Sequence, residues 1–149
     1  MGITLSYQRK NVPNGYSFNF GGTCFKDFQI KLANEYDNGL GAVYESMLRL
    51  GGAFENDPDF EDGWLKVINV YLTKLKPPAC LGKFLFNRPD NFDAIGRISP
   101  RFAGIIYNLI KDWKDNYIKE YWANEFKMQP FIEFFKRAHD ENLVILYYP

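Results

Sequence analysis

Apolar and polar residues alternate near the start of the chain, recur at helical spacing through its middle, and close it with a solid apolar run. Ile3, Leu5 and Tyr7 interleave with Thr4, Ser6 and Gln8, and Tyr16, Phe18 and Phe20 interleave with Ser17 and Asn19. A period of two is that of a strand with one buried face. Val12-Pro13-Asn14-Gly15 separates the two runs. Proline there fixes one φ and glycine accepts a positive one, so the first twenty residues read as a β-hairpin. At the other end Leu143, Val144, Ile145, Leu146, Tyr147 and Tyr148 lie between Asp140-Glu141-Asn142 and Pro149, which predicts a buried strand.

Helical periodicity fills the interval. Thr23 is an N-cap candidate for a first helix carrying Phe25, Phe28, Leu32 and Tyr36, with Asn38-Gly39 as its end. A short second helix over residues 42–50 turns Val43, Met47 and Leu50 inward and stops at Gly51-Gly52. Asp57-Pro58 opens a third, with Phe60, Trp64, Ile68, Tyr71 and Leu75 as its stripe and Lys76-Pro77-Pro78 as its stop. Residues 79–98 lose periodicity: Leu81, Phe84, Leu85, Phe86, Phe92 and Ile95 are scattered among Gly, Pro, Asn and Asp, with room for a short strand at 84–86. So long a connection is the first place to look for a binding surface. Ser99-Pro100 restarts the helical pattern with Phe102, Ile106, Leu109, Trp113 and Tyr117, a face that extends towards Tyr121 and Trp122. Gln129-Pro130 precedes the last helix, marked by Phe131, Phe134, Phe135 and Ala138. The expectation is an α+β fold: a small, mostly antiparallel sheet of about three strands, the N-terminal hairpin plus the C-terminal strand, packed against about five helices. At 149 residues, a single domain over 1–149 is expected.

Charge narrows the partner classes. Eighteen Lys and Arg balance eighteen Asp and Glu, so no whole-molecule field draws the chain to nucleic acid or an anionic membrane. Any electrostatic partner is recognised by a local patch. Cys24 and Cys80 are too few for a disulfide framework, and no run approaches the ~18 apolar residues of a span, so the chain is expected to be cytoplasmic and off the membrane. Met1-Gly2-Ile3-Thr4-Leu5-Ser6 fits the permissive myristoylation pattern, but a plain first strand explains it.

No catalytic residue and no cofactor or metal site is assigned. His139 is the sole histidine, and its neighbours Asp140 and Glu141 project in different directions on a helix. Asp57, Asp59, Glu61 and Asp62 place carboxylates as a calcium loop does, but the sixth and twelfth positions hold Asp62 and Ile68 where glycine and glutamate are required. A helix start stabilised by its dipole accounts for the same residues, and they also suit docking of a basic partner. Asn38-Gly39-Leu40-Gly41 lacks the third glycine and the Lys-Ser/Thr of a phosphate cradle and reads as a helix-to-helix turn. Trp113, Tyr117, Tyr121 and Trp122 cluster on one stretch beside Lys111, Asp112, Asp115 and Lys119, which can pair on its outer face.

In size, cytoplasmic composition, aromatic richness and lack of a catalytic signature, the chain resembles small single-domain inhibitors of bacterial competition and phage conflict, such as immunity proteins of toxin systems. The resemblance is one of overall character and attaches to no residue. It implies a protein partner, a toxin or defence protein, with Asp57, Asp59, Glu61 and Asp62 steering the encounter and Trp113, Tyr117, Tyr121 and Trp122 as anchors. Two other readings stay open. One is a small enzyme or ligand-binding domain with a carboxylate and aromatic cleft. The other, less favoured, is a binder of single-stranded nucleic acid through residues 64–101, where seven basic residues face two acidic ones among Phe84, Phe86 and Phe92. A homodimer through residues 113–122 is compatible with all three.

Overall fold

The structure is a computed structural model that describes residues 2–8, 17–49, 58–86, 96–115, 117–118 and 127–148. In chain order these form β1 (Gly2–Tyr7), β2 (Ser17–Gly21), α1 (Gly22–Tyr36), α2 (Asn38–Arg49), α3 (Pro58–Leu75), α4 (Ala79–Phe86), β3 (Gly96–Ile98), α5 (Pro100–Ile110), α6 (Met128–Asp140) and β4 (Ile145–Tyr148). The fold is α+β, with a small antiparallel sheet. The chain divides into two compact units, Met1–Phe28 with Arg88–Pro149, and Gln29–Asn87; α1 contributes residues to both.

The first unit holds the sheet, in the order β2-β1-β4-β3. β1 pairs with β2 from Gly2↔Gly21 to Ser6↔Ser17, and its other edge takes β4 from Thr4↔Tyr148 to Tyr7↔Ile145. The alternating pattern of the hairpin and the apolar last run therefore meet as predicted, although the turn at residues 12–15 lies outside the described residues. A fourth strand, β3, adds to the three expected. With only Gly96-Arg97-Ile98 it is too short to display a period. Its register is set by packing: Gly96 faces Tyr147, and a Cβ on Gly96 would stand 1.8 Å from the tyrosine Cζ. Only glycine fits beneath that ring.

Aromatic rings from α6 cover the sheet. Phe131, Phe134, Phe135 and Ala138 recur at helical spacing and all four are buried, as their positions predict. The Tyr7 ring stacks on Phe134 at 4.4 Å, and its hydroxyl donates to the Phe134 carbonyl oxygen at 2.7 Å. The polar tip is thereby satisfied inside the core. Phe28, fully buried, meets Phe131 edge-on at 5.1 Å.

Ser99 and Pro100 start α5 as the sequence predicts: the Ser99 Oγ accepts the Phe102 N–H at 3.1 Å and Pro100 occupies the first turn. The end of α5 differs from expectation. It stops at Ile110, so Lys111, Asp112 and Asp115 are not on a helix face. Asp115 serves another helix, its Oδ1 accepting the Met128 N–H at 2.7 Å. The N-cap position of α6 is Lys127, which offers no acceptor, and a carboxylate thirteen residues upstream of Met128 takes its place.

The second unit is helical. Asn38 and Gly39 open α2 instead of ending α1, because Asp37 alone separates the helices and caps the second. Its Oδ1 accepts from Gly39 N at 2.7 Å and Leu40 N at 3.3 Å. A Cβ on Gly41 would stand 1.7 Å from the Asn34 Oδ1, so that glycine permits the close return of α2 past α1. Thr23 lies inside α1, which begins one residue earlier, and is not its N-cap. Of the stretch 79–98 expected to be irregular, Ala79–Phe86 is helix α4, where a strand at 84–86 was expected, Gly96–Ile98 is β3, and residues 87–95 lie outside the described residues. Leu81, Phe84 and Leu85 are buried at the i, i+3, i+4 spacing of a helix, and the Pro78 carbonyl accepts from Leu81 N at 2.9 Å and Gly82 N at 3.1 Å. Gln29, the buried polar side chain here, donates to the Phe84 carbonyl at 3.2 Å and accepts from the Tyr44 hydroxyl at 2.7 Å.

Candidate functional site

α3 begins at Pro58, where the missing N–H costs nothing, and ends at Leu75, after which Lys76 takes a left-handed φ of 47°. Eighteen residues at 1.5 Å each make it about 27 Å long, the longest helix among those described. Its sequence stripe predicts one inward face. Among the α3 side chains described, Ile68 is the buried one, at 2% exposure, with Leu72 and Leu75 half-buried. Tyr71, expected on the inward stripe, is 44% exposed, and Leu65, Val67 and Val70 are exposed as well. At 100° per residue Val67, Val70 and Tyr71 share an arc of about 100°, on one flank of the line through Ile68. Sequence reasoning missed Leu65, Val67 and Val70. The signal was present: α3 carries more apolar residues than a single stripe accommodates, and Val70 falls well off the stripe that was read.

The acidic start adjoins this flank. Asp59 and Asp62 are exposed in the first turns of α3, where negative charge complements the helix dipole. Glu61 lies in the same turns, and Asp57 is outside the described residues. Of the aromatic group proposed as anchors, Trp113 and Tyr117 come together in the turns after α5, with ring centroids 4.9 Å apart and planes tilted by 55°. Trp113 is half-buried, edge-on to Phe28 at 6.2 Å, while Tyr117 is 41% exposed. Tyr121 and Trp122 lie outside the described residues. The expected site is thus represented by two groups, Asp59 and Asp62 in the second unit and Trp113 and Tyr117 in the first.

The structure also places the other candidates. His139 is exposed in the last turn of α6, and its Nδ1 lies 3.1 Å from the Pro100 carbonyl. Since a carbonyl oxygen only accepts, that nitrogen carries the proton. Phe84, proposed as a stacking platform for bases, is buried in the second unit. Cys24, buried, and Cys80, half-buried, are not in a disulfide. Among the described residues no three His, Cys, Asp or Glu side chains gather to hold a metal ion, and no helix is long and apolar enough to cross a membrane. Tyr147, half-buried between Gly96 and the Phe25 ring at 6.1 Å, has its phenol pushed above the ordinary value of 10.0 by burial. No family model, curated protein or solved structure matches the chain.

Proposed function

We propose that the protein is a non-catalytic protein-binding domain that acts by covering a surface of its partner, the mode of an immunity protein held against a bacterial toxin in the cytoplasm. One observation carries the reading: α3 keeps Val67, Val70 and Tyr71 in water on one flank, beside exposed Asp59 and Asp62. An apolar patch with a charged border is the composition of a docking surface, whereas scattered single apolar residues are ordinary. Carboxylates at the rim speed encounter with a basic partner, and the apolar and aromatic centre slows its departure. Cys24 and Cys80, which are not in a disulfide, agree with a reducing compartment.

The test is capture from lysate of the native source with immobilised wild-type chain and a Val70→Glu, Tyr71→Ala variant. One protein should be retained stoichiometrically by the wild type and lost from the variant, which keeps its circular dichroism and melting temperature. Equal retention by both would remove α3 from the contact. Retention of nothing would overturn the reading.

A further inference from the structure

α3 carries opposite charge at its two ends. Asp59 and Asp62 are exposed near its start, and Lys74 and Lys76 are exposed at and just beyond its last turn. Between them Val67, Val70 and Tyr71 are 40%, 68% and 44% exposed. Gly63 and Lys74 fall on the same flank, and nothing lies within 4 Å of where a Cβ on Gly63 would stand.

We propose that this flank is the contact between two copies of the chain, their α3 helices packed antiparallel about a two-fold axis. The inference rests on the reading of α3 as a protein-docking surface and names its occupant. In a two-fold contact residue i meets j and j meets i, so a helix pairs with itself only if its pattern is complementary when reversed. That of α3 is. Val67 of one copy beside Val70 of the second places Val70, the most exposed apolar residue of α3 among those described, at the axis. Gly63 then lies at the level of Lys74 of the second copy and leaves room for its stem. Asp62 lies at nearly the same level as that Lys74, and Asp59 within about one turn of Lys76. A parallel pairing would instead gather the carboxylates of both copies at one end and the ammonium groups at the other.

The size of the contact sets its strength. One helix pair about 27 Å long buries less than the roughly 1,600 Å² of a standard interface, so the dimer is weak and exchanges quickly. It covers the apolar flank when no other partner holds it, and a heterologous partner competes with it.

Sedimentation velocity across a concentration series tests this. The wild type should pass from monomer to dimer with a Kd on the order of 10 to 100 µM at low salt. Val70→Glu should weaken association by about tenfold or more. So should the pair Asp59→Lys, Asp62→Lys and, separately, the pair Lys74→Glu, Lys76→Glu, because each leaves like charges facing across the contact. Mixed in equal amounts, the last two variants should form a heterodimer at least as tight as the wild-type dimer, a rescue that a misfolded variant could not give. A wild type monomeric throughout, or a dimer that Val70→Glu and both charge variants leave unchanged, overturns the proposal. A monomeric wild type that still loses a captured partner on Val70→Glu overturns the dimer and keeps the docking surface. A dimer broken by Val70→Glu in a chain that captures nothing keeps the dimer and overturns the inhibitor.

Discussion

Two helices with comparable sequence patterns meet opposite fates. α6 and α3 both carry aromatic and aliphatic residues at helical spacing, yet Met128, Phe131, Ile132, Phe134, Phe135 and Ala138 of α6 are all buried. Among the α3 side chains described, Ile68 alone reaches that state. The difference lies in what faces each helix. α6 packs under the sheet and along α5, with Tyr7, Phe18 and Phe28 set into its rings at centroid separations of 4.4 to 5.6 Å. α3 packs along α2 through a single line, with Leu75 methyls 3.9 Å from where a Cβ on Gly39 would stand. An apolar stripe therefore specifies a helix and a face to cover, and the supply of a second surface decides whether the face becomes core or stays in water.

The comparison can be broken by substitution. Phe131→Ala removes a ring wedged among Phe18, Phe28 and Phe135 and should cost about 3–5 kcal/mol in a denaturant titration. A loss below about 1 kcal/mol would mean that the α6 face is no better covered than α3. Gly41→Ala drives a Cβ onto Asn34 and should cost about 1–3 kcal/mol, a check that the second unit is tightly packed behind α3 even where α3 is not. Ser99→Ala and Asp115→Ala each remove an acceptor from a first helical turn and should each cost about 1 kcal/mol, read as a lowered melting temperature. Equal losses would show that the distant carboxylate caps α6 as effectively as the adjacent serine caps α5.

Alkaline titration sharpens the contrast further. Burial holds the Tyr147 phenol above its ordinary value of 10.0, so between that value and the folded one the unfolded chain has released a proton that the folded chain retains. Stability from this group is complete below pH 10.0 and falls as pH rises through the folded pKa. Tyr147→Phe should flatten the alkaline limb of the stability curve, and an unchanged limb would remove Tyr147 as its source. The smallest effect belongs to α3. Val70→Glu, at concentrations below dimer formation, should shift stability by no more than about 0.5 kcal/mol. A larger loss would make Val70 part of a core.

Local signals predicted the pairing of the Ile3, Leu5 and Tyr7 run with that of Phe18, the buried face of α6, and the Ser99-Pro100 start, because each depends on residues a few positions apart. Gly82 and the run at 84–86 hid α4, although Leu81, Phe84 and Leu85 were at helical spacing. β3 carried no legible period, and the end of α5 at Ile110 has no glycine or proline to announce it. Of the candidate site, the acidic start at Asp59 and Asp62 was legible as a helix terminus, and the Trp113 and Tyr117 pair as neighbours. The exposure of Val67 and Val70 was not. Which face of a helix is apolar is a local property, written in 3.6-residue spacing. Which apolar faces find a cover, which glycine must yield to Tyr147, and which carboxylate caps a helix thirteen residues away are decided only when distant segments meet.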